Sequence, residues 1–177
     1  MPPFPDEIDV VPHLPAMRRY ARALLRDDAA ADDLVQQALL NAIERSRTFR
    51  PGGSLKAWLL AILHNQHVSA RRSAAAETRK LERFGEMAPT ESTGNQEHTV
   101  YLRQIAVRFA ALPDTARATL HLVAVEGLNY REASEALGVP VGTVMSRLSR
   151  ARAALRRLHG PIGEEVPLRI VGGRDVS

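Results

Sequence analysis

Apolar residues in this chain recur at intervals of three and four, and they almost never alternate with polar ones. Leu14, Met17, Ala21, Leu24 and Leu25 form the first series, with Pro15 suited to a helix's first turn and an end expected near Arg26. Leu34, Val35, Ala38, Leu39, Ala42 and Ile43 form the second, with Asp28 as expected cap, Asp32 and Asp33 favouring the amino end, and a close near Ser46. The turn "RPGGS" follows, and Ser54 caps a third series of Leu55, Trp58, Leu59, Ile62 and Leu63, ending within "HNQHVSARRS". Such spacing buries one side of a helix and cannot bury one side of a strand, so the chain is expected to be all-α. An aromatic content of 5% and abundant alanine favour the same class.

The period fades from Ala74 to about Gln96, where "AAAETRKLERFGEMAPTESTGNQ" reads as a linker after one frayed helical turn. A second helical block follows, with a helix around Val100 to Leu112, another opening at Pro113 and closing at Gly127, and then "NYREASEALGVPVGTVMSRLSRARAAL". The expectation is two small helical domains over residues 10–73 and 98–159, a flexible linker over 74–97, and a flexible tail over 160–177. A hydrophobic fraction of 45% suffices to bury two such cores.

Within the last block Asn129 and Glu132 have the spacing of a capping box, Gly138 supplies a left-handed turn, and Pro140 opens the next helix. The result is a helix-turn-helix, a shape that ordinary αα-hairpins share. Val144, Leu148, Ala151 and Leu155 make its buried stripe. Thr143, Met145, Ser146, Arg147, Ser149, Arg150, Arg152, Arg156 and Arg157 face outward, and no acid lies between Val141 and Leu158. A solvated helix mixes charge signs, whereas a helix in a major groove meets phosphates and base edges with donors. Met145, Ser146, Ser149 and Arg150 are the base-edge candidates; Arg147, Arg152, Arg156 and Arg157 are the phosphate candidates.

Other classes find less support. The net charge of +4 is too small to argue for nucleic acid unless its distribution is considered. With no cysteine there are no disulfides and no thiolate zinc sites. The start "MPPFPDEIDVVPHLP" lacks the pattern of a signal peptide, and no segment has transmembrane length, so a cytoplasmic location without membrane contact is expected. There is no glycine-rich phosphate loop and no HExxH, so no catalytic residue, cofactor or small-molecule substrate is expected. His64 and His67 are spaced as a metal pair, yet no carboxylate or cysteine nearby completes a site. His121 lies in an apolar run and reads as a packed histidine.

The stretch "EGLNYREASEALGVPVGTVMSRLSRARAAL" resembles the carboxy-terminal promoter-reading module of bacterial extracytoplasmic-function sigma factors. "DDLVQQALLNAIERSRTFRPGGSLKAWLLAILHNQHVSARR" resembles their amino-terminal module, and the two occur in the right order. The resemblance implies a specificity factor that binds core RNA polymerase, places it on promoter DNA and helps open the duplex, in a stress response and under an anti-sigma factor. It implies polymerase contact through Asp32, Asp33, Leu34, Gln36, Gln37 and Asn41. It also implies contact with the minus-ten element around the end of the third helix. There His64, Asn65, Gln66 and His67 offer hydrogen bonds to bases, and Arg71 and Arg72 offer charge to phosphates. Trp58 belongs to the apolar series and reads as core. Family members often carry an acid shortly before "RR", where this chain has Ser69, and a basic residue at the position of Met145. Two rivals are a one-domain helix-turn-helix regulator and a protein that imitates a sigma factor to titrate its inhibitor. The first leaves the amino-terminal resemblance unexplained, and the second usually carries a receiver domain and has lost the basic residues kept here.

Overall fold

The structure, a computed structural model, describes residues 8–25, 27–81 and 107–157. They belong to two compact units, Met1–Asn95 and Gln96–Ser177, and every element within the described residues is helix or turn. None of these helices is long and apolar enough to cross a membrane.

The first unit is three helices packed pairwise on one another: α1 (Leu14–Leu25), α2 (Asp28–Glu44) and α3 (Leu55–Leu81). A 3-10 turn over Val11–His13 leads into α1, whose second residue is Pro15, where a missing amide hydrogen costs nothing. Its buried side is Ala16, Met17, Tyr20, Ala21 and Leu24. The core stripe is thus centred on Tyr20, while Leu14 and Leu25 lie at its half-buried margins. Asp27, not Asp28, caps α2: its carboxylate accepts from the Ala30 amide at 2.7 Å, and Asp28 turns outward to pair with Arg22 at 3.0 Å. Ala31, Ala38 and Ala42 on the buried side let α2 approach its neighbours closely around Leu34 and Val35.

The loop to α3 is pinned at both ends. Thr48 Oγ1 donates to the Arg45 carbonyl at 2.7 Å, Ser54 Oγ accepts from the Ala57 amide at 3.2 Å, and the Phe49 ring leans on Trp58 with centroids 5.4 Å apart. Trp58 is therefore a half-buried packing residue. In α3 Leu59, Leu60, Ile62 and Leu63 are buried, each worth about 1.5–3 kcal/mol relative to exposure. The helix continues to Leu81, past the end expected near Ser73. Residues 69–76 are all exposed, so a solvated helix with no buried stripe carries the chain into the stretch read as linker. The rest of that stretch and the tail over 160–177 lie outside the described residues.

In the second unit a helical stretch over 107–110 precedes α4 (Asp114–Leu120), α5 (Tyr130–Leu137) and α6 (Val141–Arg157), with α4 and α5 both packed on α6. Arg117 fixes the corner before α4. Buried in the unit, it donates to the carbonyls of Leu112 at 3.0 Å and Ala110 at 3.3 Å and to Asp114 at 2.6 Å. After α4 the backbone widens into a π turn over His121–Val125, where the Glu126 amide reaches back to the His121 carbonyl. His121 is packed as expected, and Nε2 meets buried Glu126 at 3.2 Å.

Candidate nucleic-acid interface

The hairpin of α5 and α6 is held at each point the sequence marks. Asn129 Oδ1 accepts from the Glu132 amide and Glu132 Oε2 from the Asn129 amide, both at 2.9 Å, completing the capping box. Gly138 ends α5 at φ +64°, a conformation strained for any residue with a Cβ. Ser134 Oγ donates to the Val139 carbonyl at 2.6 Å, which ties α5 to the turn that follows it.

Val144, Leu148 and Ala151 are buried, and Leu155 is half-buried at the end of the same stripe. Their burial fixes the rotation of α6. Met145, Ser146, Ser149, Arg150 and Arg156 are consequently exposed, with Thr143, Arg147 and Arg152 half-buried beside them. Ser146 Oγ donates to the Thr143 carbonyl at 3.0 Å, and Arg150 Nε donates to the Ser146 carbonyl at 3.3 Å, which draws that guanidinium toward the amino-terminal half of the helix. A shallow groove of about 240 Å³ runs along α6 past the start of α5, lined by Tyr130, Met145, Leu148, Ser149, Arg152 and Arg156. Arg152 Nη2 is buried there without a hydrogen-bond partner.

In the first unit the residues expected to touch bases separate into two sets. His67 is buried and packs in the three-helix core, so its imidazole is not presented to a strand. His64 is half-buried, with Nδ1 in a 2.9 Å hydrogen bond to the Tyr20 hydroxyl; Gln66 Oε1 accepts from Asn41 Nδ2 at 2.8 Å. Burial raises the Tyr20 phenol well above its ordinary range, which keeps it protonated and able to donate. These bonds tie α1 and α2 to the last packed turns of α3. Asn65, Arg71 and Arg72 are left on the exposed side, where an amide and two guanidinium groups suit bases and phosphates.

The outer face of α2 likewise differs from the expected set. Leu34 is buried and belongs to the core, because it shares the side of Ala31, Val35 and Ala38. Asn41 is engaged with Gln66, and Asp32 stands 3.7 Å from Arg18. The open face is Asp33, Gln36, Gln37 and Leu40, the leucine being about half exposed. Leu40 is absent from the set expected from sequence, although its position four after Gln36 and three after Gln37 places it on their face.

Residues 10–64 match the family described as the Sigma2 domain of PhyR, and residues 102–155 match Sigma-70, region 4. The ECF RNA polymerase sigma factor EcfG of Rhodopseudomonas palustris is 34% identical over 159 residues, which cover 88% of this chain and 87% of that protein. Among solved structures, the sigma factor RpoE in complex with the anti-sigma factor NepR, from Bartonella quintana, aligns with TM-score 0.72 and 30% identity over 84% of this chain and 92% of its own. The anti-anti-sigma factor PhyR complexed with NepR, from the same organism, aligns with TM-score 0.53 and 19% identity, over 84% of this chain and 48% of PhyR; that likeness is one of fold.

Proposed function

The chain belongs to the extracytoplasmic-function sigma factors of bacterial RNA polymerase, which direct the enzyme to promoters, and from that membership we propose how its surfaces divide the work. The open face of α2 (Asp33, Gln36, Gln37 and Leu40) binds core polymerase. Asn65, Arg71 and Arg72 on α3 hold the minus-ten element as it opens. The outer face of α6 reads the upstream element, with Met145, Ser146, Ser149 and Arg150 at base edges and Arg147, Arg152 and Arg156 on phosphates. The protein contributes recognition and no bond chemistry of its own, and works in the cytoplasm, where polymerase and chromosome are found.

One observation carries this reading. The α6 face is free of acids, rich in arginine and fixed in rotation by the buried Val144, Leu148 and Ala151, which is what a helix in a major groove requires. The complex of RpoE with NepR supports an anti-sigma factor as a further partner, as in stress-response control.

The match of the first unit to the PhyR domain supports a second reading, in which the chain titrates an anti-sigma factor without serving polymerase. The retained arginines of α6 argue against it. Purified chain added to core polymerase should produce a transcript from a cognate promoter and none from a mutated one. Failure to do so while an anti-sigma factor is bound would establish the imitator instead.

A further inference from the structure

Two apolar side chains, Val141 and Met145, stand exposed at the amino-terminal end of α6, and Tyr130 is exposed at the start of α5. Met145 is 53% exposed, Val141 39% and Tyr130 37%. Val141 and Met145 are one helical turn apart on α6, and Tyr130 lines the same groove as Met145. Single apolar residues are ordinary on a surface, but Met145 and Tyr130 form an apolar patch in a groove whose remaining exposed lining is polar or cationic.

Its surroundings choose the occupant. The patch merges into Ser149, Arg152 and Arg156 along the groove, with Arg150 exposed on the same helix; α6 has no carboxylate, and Arg152 Nη2 has no partner. An apolar spot set among cations matches a polyanion that carries apolar groups. In the major groove of DNA the apolar group is the C5 methyl of thymine, which protrudes among hydrogen-bonding edges.

We propose that Met145, in the groove it shares with Tyr130, reads a thymine methyl in the upstream element and gives this sigma factor a preference for thymine at that position. The proposal rests on α6 being the upstream-reading helix. Met145 is thereby a specificity-determining residue that acts by packing, distinct from Arg150 and Ser149, which act by hydrogen bonding. The thioether fits because it is polarizable and bends to the surface it meets.

The test uses the full chain bound to core polymerase and a duplex library randomised across the upstream element. Selected duplexes should hold thymine at one position. Replacing that thymine with deoxyuridine, which lacks only the methyl, should weaken binding by the wild type about fourfold, the value of one buried carbon. Met145→Ala should bind the two duplexes equally, and Met145→Leu should keep most of the discrimination. Sequence-selective binding indifferent to deoxyuridine at every thymine, or an equal loss in wild type and Met145→Ala, overturns the methyl contact and leaves the sigma reading standing. The same indifference together with loss of anti-sigma binding in Met145→Lys assigns the patch to a protein partner. Absence of any sequence selection overturns the upstream-reading role of α6 itself.

Discussion

The Tyr20 hydroxyl and His64 Nδ1 are 2.9 Å apart, with the two rings inclined at 23°, so the most deeply buried aromatic of α1 is bonded to the turn of α3 just before Asn65. This contact ties α1 to α3 within the packed part of that helix, three residues before buried His67. Tyr20→Phe keeps the ring and removes the bond, and should cost about 1 kcal/mol by denaturant titration. It should also alter the pH dependence of stability. The phenol's ordinary value of 10.0 is raised by burial in the fold, so above pH 10.0 the unfolded chain holds fewer protons than the folded one and stability falls as pH rises. In Tyr20→Phe that part of the alkaline decline should disappear; an unchanged slope would show that another group governs it.

Leu34 and Leu40 are six residues apart on α2 and should fail in opposite ways. Leu34→Ala opens a cavity in the three-helix core and should cost about 2–5 kcal/mol of stability. Leu40→Asp alters an exposed face and should leave the unfolding midpoint in place while weakening core polymerase by roughly tenfold or more in pull-down titrations. Equal polymerase binding by Leu40→Asp would remove this face from the interface.

Where a residue's role follows from helical period alone, the sequence was a sufficient guide. The stripe of Val144, Leu148 and Ala151, the capping box and Gly138 lie where local spacing puts them, because each is decided by neighbours within four residues. Tyr20, His64, His67, Asn41 and Gln66 were not legible in that way. Their roles depend on pairs separated by 44 and 25 residues and on which polar groups the packing of three helices encloses. Arg117 and Glu126 have the same cause: a charged side chain looks exposed in sequence until a corner of backbone carbonyls or a π turn closes around it. The extent of α3 escaped the sequence for a different reason. Its last turns carry no apolar stripe, so the pattern that marks a helix stops before the helix does.

Arg72 is exposed on α3 beyond the core, so Arg72→Ala should leave the fold unchanged. As a phosphate contact its loss should reduce the slope of log binding constant against log salt by about one unit and weaken all promoters to a similar degree. Competition titrations of the polymerase complex at several salt concentrations read this directly. An unchanged slope would place the α3 end away from the DNA backbone.

Gly138 has open space where a side chain would start, with nothing within 4 Å of a Cβ at that position, and its difficulty lies wholly in φ +64°. Gly138→Ala should therefore destabilise the second unit by about 1–2 kcal/mol through backbone strain, and Gly138→Asn by less, because asparagine tolerates the left-handed region. Thermal unfolding of the variants checks the order; equal effects would mean that the turn relaxes to another conformation.

On the proposed division of α6, Arg150 belongs to the half that selects and Arg156 to the half that holds. Arg150 lies one turn beyond Ser146 and donates Nε to its carbonyl, which keeps the terminal nitrogens of the guanidinium as donors and draws them toward the end of the helix that enters a groove first. Two parallel donors of this kind pair with the acceptors of a guanine edge, and losing them should cost about 1–3 kcal/mol at one base pair. Arg156 is nearly two turns further along, at the far end of the groove lined by Tyr130 and Met145, where a recognition helix has risen toward the backbone. Arg156→Ala should lower affinity for every sequence alike and reduce the salt slope by about one unit, whereas Arg150→Ala should relax the preference at a single position. Binding both variants to the same upstream-element library across salt concentrations separates the roles. A uniform loss from Arg150→Ala combined with an altered preference from Arg156→Ala would reverse the direction in which α6 lies along the groove.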